Sequence, residues 1–252
     1  MTEEQILDQS GPADSRLLAV PRTNPAGRGW GWIRDGFDYF LKFPMQWIAV
    51  LIIGLVIMLV LNLIPLLGQL VLMLTTYVWL GGLMLGCEAQ SRGEKFEIKH
   101  LFAGFSNNTG RLVLLSLIYT AITLVIALIA VGPLFSEMMK GGLEPGAEMI
   151  ESMPDPGTFL LPFLGAMLVM VPLIMAVWFA PVLIVLNDMP LIAAMKLSFS
   201  GCLKNILAFL IYGLIALVLY ILAAIPLMLG LLVLFPTLIA SIHVAYRDIF
   251  IE

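Results

Sequence analysis

Residues 178–205 read WFAPVLIVLNDMPLIAAMKLSFSGCLKN, and the rest of the chain follows the same pattern. This stretch ends one apolar segment, passes through a short amphipathic segment and begins another apolar segment. Long apolar segments without charges are typical of helices that cross a bilayer. The stretch therefore predicts a membrane protein with several spans.

The composition of the whole chain agrees with this class. Of its 252 residues, 61% are hydrophobic and 12% are charged, and the mean hydropathy is +1.02. Soluble domains contain about 45–50% apolar and about 25% charged residues. The net charge of −4, without a dense basic run, gives no indication of a nucleic-acid partner.

Six apolar segments are long enough to span a membrane, so we predict an all-α integral membrane protein with six transmembrane helices. The predicted spans lie at about 44–64, 68–87, 112–131, 159–186, 206–225 and 227–246. Residues 1–27 are polar and contain several prolines, which predicts a flexible cytoplasmic tail before a membrane domain at 28–252.

Three prolines indicate an internal repeat. A phenylalanine precedes a Pro-Leu pair by 28, 28 and 27 residues at Phe37–Pro65, Phe105–Pro133 and Phe199–Pro226. Each phenylalanine belongs to an amphipathic segment that comes just before a span. We predict three pseudo-repeats, each an interfacial helix followed by a helical hairpin, at about 28–88, 96–188 and 190–248. The second contains an acidic external loop at 134–158.

The basic residues predict the orientation. With six spans, the tail, the two long connections and the C-terminus share one side, which holds every lysine and arginine except Lys140. Loops rich in lysine and arginine face the cytoplasm. We therefore expect both termini in the cytoplasm of a bacterial inner membrane.

Basic residues at the span entrances are candidates for contacts to lipid headgroups or to another anion. Topology signals and anionic headgroups already account for them, and a ring around an anionic ligand is the alternative. These residues are Arg28, Arg34, Lys42, Arg111, Lys196 and Lys204.

Few polar residues occur inside the spans, and three of them are candidates for the lining of a cavity: Asn62, Thr120 and His243. His243 lies near the cytoplasmic end of the last span without a carboxylate on the same span, which favours a structural role. Gly82 and Gly86 form a GxxxG pattern, which predicts close helix packing, within one chain rather than between two copies.

Catalytic patterns are missing from the sequence. It contains no H-E-x-x-H, G-x-S-x-G or Walker A motif, so we expect neither an enzyme nor a bound cofactor. Cys87 and Cys202 form no C-x-x-C pair and each ends a span, so we expect free thiols and no metal site.

Several motifs resemble those of uncharacterised proteobacterial multi-pass inner-membrane proteins. They are Trp178-Phe-Ala-Pro-Val-Leu, Leu197-Ser-Phe-Ser-Gly-Cys-Leu-Lys-Asn, Ala245-Tyr-Arg-Asp, Gly29-Trp-Gly-Trp, Gly82-Leu-Met-Leu-Gly and His100-Leu-Phe-Ala-Gly-Phe. The pattern, over about residues 28–250, is similar to YciC-like proteins and to the membrane domain of some glycerophosphodiester phosphodiesterases. The resemblance implies a fold. It carries over no phosphodiesterase activity, because the catalytic domain is missing from this sequence.

Two functions are compatible with these features. The first is a non-catalytic inner-membrane protein that organises lipid or assists another membrane complex. The alternative is a transporter or exporter of an apolar or lipid-like solute, for which the spans interrupted by proline would be the motif. The expected partners are membrane lipids and either another membrane protein or a second copy of the chain.

Overall fold

The computed structural model describes residues 16–140 and 156–252, and within them the chain is helical without a strand. Six helices or helix pairs are long and apolar enough to span a membrane. The helices are α1 Arg28–Lys42, α2 Pro44–Asn62, α3 Leu67–Ser91, a 3₁₀ helix Ile98–Phe105, α4 Thr109–Lys140, α5 Pro156–Trp178, α6 Ala180–Asn187, α7 Leu191–Lys204, α8 Ile206–Ala224 and α9 Leu231–Phe250.

Three short helices alternate with three hairpins. The short helices are α1, the 3₁₀ helix and α7, and they precede the hairpins α2–α3, α4–α5/α6 and α8–α9 in turn. The 3₁₀ helix packs on the hairpin α2–α3, and α7 packs on the hairpin α4–α5/α6, which in each case comes before it in the chain. Helix α1 packs on the last hairpin, α8–α9. The described helices therefore close into a ring of contacts.

The short helices approach their neighbours closely because each has a small residue at the crossing. A Cβ atom on Gly36 would lie 2.6 Å from the Thr237 carbonyl oxygen, and one on Gly104 would lie 1.9 Å from that of Val78. On α7 the crossing residue is Ser198, whose hydroxyl donates to the Met175 carbonyl at 2.7 Å. The same hydroxyl accepts from the Phe179 N–H at 3.0 Å.

The Ser198 contact also explains the bend in the fourth span. The Phe179 N–H would normally bond to the Met175 carbonyl, but the Ser198 hydroxyl stands between them. Pro181 has no N–H to bond back along the helix, so the turn is weakened twice. The span Leu160–Asn187 is consequently built from two helices, α5 and α6.

The predicted end of the third span near Gly132 agrees with the span Thr109–Gly132, but the helix does not stop there. Helix α4 continues to Lys140, and α5 already begins at Pro156. Interior prolines are tolerated in spans when local adjustments satisfy the backbone groups that they release. Of the predicted loop 134–158, residues 134–140 and 156–158 are therefore helical, and residues 141–155 lie outside the described part.

The predicted flexible tail is also wrong for residues 16–27. Leu17 pairs with Ile251 in an isolated antiparallel bridge, and the Arg22 N–H donates to the Ile249 carbonyl at 2.8 Å. The Asn24 N–H donates to the Asn205 side chain at 2.7 Å. The segment is held by backbone hydrogen bonds, which composition does not reveal; residues 1–15 lie outside the described part.

The best-packed core lies at the end of the bundle that holds this segment and the C-terminus. Its largest fully buried side chains include Trp32, Trp47, Phe96, Phe179 and Phe250. At mid-span the first helices of two hairpins instead expose their apolar residues: Leu55 of α2 is 49% exposed and Leu217 of α8 is 56% exposed. That exposure suits a surface covered by lipid.

Candidate functional site

A buried ionisable pair lies where α3 and α9 meet. The Nε2 atom of His243 lies 2.9 Å from a carboxylate oxygen of Glu88. The His243 side chain is fully buried, and that of Glu88 is 15% exposed. Arg92 bonds to the other Glu88 oxygen at 2.9 Å, and the Ser91 hydroxyl donates to the carboxylate at 3.4 Å.

Polar groups from the neighbouring helices complete what we call the polar junction: Tyr39, Glu88, Gln90, Asn187, His243 and Tyr246. The Tyr39 ring lies 5.8 Å from the His243 ring, and the Gln90 side chain donates to the Tyr39 carbonyl at 2.6 Å. The Tyr246 hydroxyl donates to Asn187 at 2.7 Å. The junction thereby joins α1, α3, α6 and α9.

The junction is suited to holding helices together. A carboxylate beside an imidazole can orient the ring and exchange a proton with it, but the ring has no exposed surface. The Nδ1 atom of His243 and the Oε1 atom of Gln90 are buried, and neither has a partner within the described residues. The His243 ring is thus closed off within the described residues, whereas the Glu88 side chain keeps 15% exposure.

Sequence reasoning missed this pair because its carboxylate comes from a different span. We expected the second span to end near Cys87 and the span interiors to be free of ionisable partners. Helix α3 continues to Ser91, so Glu88 lies on the helix, inside the segment Leu67–Ser91. The pair could have been suspected because Glu88 directly follows the second apolar segment, at the same end of the spans at which His243 was predicted to lie.

Arg28 forms a second charged cluster near the C-terminus. It lies 2.9 Å from Asp35 and 2.5 Å from Asp248, and the Trp32 indole also donates to Asp248 at 2.8 Å. The hydrogen bond to Asp248 is the main cause that raises the pKa of Arg28. Arg28 is therefore a structural link between α1 and α9.

The other predicted basic residues do not form a ring around one ligand. Arg111 bonds to the Asp188 carboxylate at 2.6 Å, and Lys204 donates to the Pro21 carbonyl at 3.2 Å. Lys42 lies 5.5 Å from the centre of the Tyr39 ring. Arg34 bonds to Asp35 at 3.0 Å with 62% of its side chain exposed, and Lys196 is exposed on α7.

The predicted lining residues do not meet in a cavity. Asn62 is exposed and donates to the Met58 carbonyl at 2.7 Å, close to the turn between α2 and α3. Thr120 is half-buried on α4, and His243 belongs to the polar junction. The three residues therefore share no contact in the described part of the chain.

Gly82 and Gly86 lie against the segment that contains the 3₁₀ helix. A Cβ atom on Gly82 would lie 2.5 Å from the His100 carbonyl oxygen, and one on Gly86 would lie 2.5 Å from the Phe96 ring. The pattern therefore serves contacts within the chain, to a short helix rather than to another span.

Two apolar grooves are open at the surface. Groove A, between α1, α8 and α9, has a volume of about 540 Å³, and Arg34 is its one charged lining residue. Groove B, between α5 and α7, has a volume of about 410 Å³, and Lys196 is its one charged lining residue. Neither is lined by Asn62, Thr120 or His243.

Other chemistry is not visible in the described part. Cys87 and Cys202 are free and buried, and burial raises the pKa of the Cys202 thiol to about 12. Within residues 16–140 and 156–252, no three His, Cys, Asp or Glu side chains come together as metal ligands.

These features define a multi-pass α-helical membrane protein. A curated protein of Burkholderia thailandensis, described as a probable inner membrane protein, is 29% identical over 197 residues, which cover 75% of this chain and 72% of that one. No protein-family model and no solved structure matches the chain. The similarity to YciC-like proteins and to phosphodiesterase membrane domains is not found in these comparisons and stays a prediction.

Proposed function

We propose that this chain is a non-catalytic protein of the bacterial inner membrane that organises lipid or assists another membrane complex. One observation carries the proposal: grooves A and B are open on the outer surface, and each contains one basic residue beside apolar walls. The name of the Burkholderia relative supports the inner-membrane location.

Transport of an apolar or lipid-like solute is the less favoured function. A carrier would need a passage between its hairpins, lined by the polar residues of the spans. Asn62, Thr120 and His243 instead share no contact in the described part of the chain, and His243 is packed against Glu88 without exposed surface.

The test of this function is the lipid that the protein retains. The full chain is purified in a mild detergent, and its bound lipids and proteins are compared by mass spectrometry with an extract of the same membranes. Enrichment of particular lipids is the expected result. A bound fraction with the composition of the extract, and without a partner protein, would contradict the proposal.

We further infer that both termini face the cytoplasm. The end of the bundle that holds residues 16–25, the polar junction and the C-terminus is also the end at which the basic residues lie, which suits the cytoplasmic side. A fluorescent protein fused after Glu252 should fluoresce, and alkaline phosphatase fused after Glu148 should be active. Active phosphatase after Glu252 would reverse this orientation.

We also infer three structural repeats from the crossings of the short helices. Gly36, Gly104 and Ser198 each directly precede the phenylalanine by which the repeat was predicted. Each of the three meets a carbonyl and the N–H four residues later on the return helix of a hairpin, at 237/241, 78/82 and 175/179. Equivalent positions with equivalent contacts support a common ancestral unit.

A further inference from the structure

Grooves A and B are built from the same positions of two different short helices. On α1 the lining residues are Trp30, Ile33, Arg34 and Phe37. On α7 they are Ile192, Met195, Lys196 and Phe199. Both sets follow the spacing i, i+3, i+4, i+7, and both end one residue after the crossing residue, Gly36 or Ser198.

The position of the basic residue is therefore the same in both grooves. Arg34 and Lys196 each lie two residues before the crossing residue, and among the described residues they are the only charged ones that line the grooves. The Nε and Nη2 atoms of Arg34 donate hydrogen bonds to the Asp35 carboxylate. Because a guanidinium carries five N–H donors, the remaining ones can still bind an anion.

The third crossing, at Gly104, lacks both the basic residue and the open groove. The residue equivalent to Arg34 and Lys196 is Phe102, and the Trp79 ring packs against it at 5.5 Å and against Phe105 at 4.9 Å. Trp79 directly follows Val78, whose carbonyl meets Gly104, and Ala176 directly follows Met175, whose carbonyl meets Ser198. Trp79 therefore corresponds to Ala176, which lines groove B. A tryptophan thus fills the space that an alanine leaves open.

We propose that the protein binds two anionic glycerophospholipids, one in groove A with its phosphate at Arg34 and one in groove B with its phosphate at Lys196. This inference rests on the proposed lipid-organising function and names its ligand and its sites. An apolar groove on a lipid-covered surface takes acyl chains, and a basic side chain beside it attracts an anionic headgroup. Trp30, 47% exposed in groove A, suits headgroup depth.

Native mass spectrometry can count the bound lipids. The full chain is released from nanodiscs of phosphatidylcholine that contain a fifth of phosphatidylglycerol. Two retained phosphatidylglycerol molecules are expected for the parent, one for Arg34→Ala, one for Lys196→Ala and none for the double variant. Lys95→Ala removes an exposed charge outside both grooves and should retain two.

Two further variants separate the grooves from the charges. Ala176→Trp copies the third crossing into groove B and should remove one lipid although Lys196 is intact. Trp79→Ala with Phe102→Lys copies groove B into the third crossing and should add one lipid.

The outcomes distinguish this inference from the proposed function. If the parent retains lipid but Arg34→Ala, Lys196→Ala and Ala176→Trp retain the same number, the two sites are wrong and lipid organisation stands. If the parent shows no preference for any lipid over phosphatidylcholine, both are wrong.

Discussion

Glu88 and His243 join two hairpins through residues that lie 155 positions apart in the chain. Removing Glu88 leaves the buried His243 ring without its hydrogen-bond partner, at a cost of about 1–3 kcal/mol. Glu88→Ala should therefore lower the melting temperature in detergent strongly, as measured by circular dichroism. Glu94→Ala, at an exposed carboxylate beyond α3, should change it little.

Replacing both partners distinguishes the contribution of the pair to stability from that of the packing around it. Glu88→Leu with His243→Phe removes both members of the pair, and Arg92, 51% exposed, can be hydrated instead. The double variant should therefore recover much of the stability that Glu88→Ala loses. A double variant less stable than Glu88→Ala would contradict this account.

His100 should make the 3₁₀ helix sensitive to acid. Its Nδ1 atom accepts a hydrogen bond from the Glu97 N–H at 3.0 Å, which a protonated ring cannot accept. Burial is the main cause that lowers the pKa of His100 below its usual 6.5. Because the unfolded chain holds this proton more tightly, the contribution is full above pH 6.5 and is lost as the pH falls through the lower folded-state pKa.

The measurement is the melting temperature from about pH 8 to about pH 5, for the parent and for His100→Gln. Glutamine can accept the same bond without titrating, so the difference between the two proteins isolates His100 from His243. The parent should lose stability in acid relative to His100→Gln; parallel curves would exclude this role.

Among the elements, the short helices depend most on close approach. Gly104→Ala places a Cβ within 1.9 Å of the Val78 carbonyl oxygen, so the 3₁₀ helix must move away from α3. Overpacking of this kind costs about 1–3 kcal/mol. The melting temperature of Gly104→Ala should fall clearly.

Gly213→Ala is the matched control for this crossing. Gly213 lies inside α8, and an added Cβ would meet nothing within 4 Å. Alanine forms helix better than glycine by up to about 1 kcal/mol, so Gly213→Ala should be neutral or slightly stabilising. Equal losses for Gly104→Ala and Gly213→Ala would mean that the crossing is not tightly packed.

The elements also show what the sequence could predict. The six spans and the short amphipathic segments were predictable because apolar content and periodicity are local properties. The bend at Phe179 and the close approach of Gly104 depend on partners from other helices, and no local pattern contains them. The Glu88–His243 pair was missed for the same reason, although Arg34 and Lys196 could be selected by their positions at span entrances.

In the whole molecule, the contacts between short helices and hairpins form a closed ring. The first short helix packs on the last hairpin, and Leu17 pairs with Ile251, so the two ends of the described chain lie side by side. The Glu252 N–H also donates to the Arg16 carbonyl at 3.1 Å. The order in which the three units follow one another is thus not imposed by the packing.

A circularly permuted chain tests this directly. It begins at Glu94, joins Glu252 to Arg16 by a short Gly/Ser linker and ends at Gly93, in an exposed connection where an added Cβ on Gly93 would meet nothing within 4 Å. Its new ends lie on the same side as the old ones, so six spans insert with unchanged orientation. We expect membrane yield and melting temperature close to those of the parent.

A chain that lacks residues 1–27 keeps the original order but loses the Leu17–Ile251 and Asn24–Asn205 contacts, and it should be less stable than the permuted chain. If the permuted chain fails to insert while the truncated chain is stable, the ring of contacts is not what holds the molecule together.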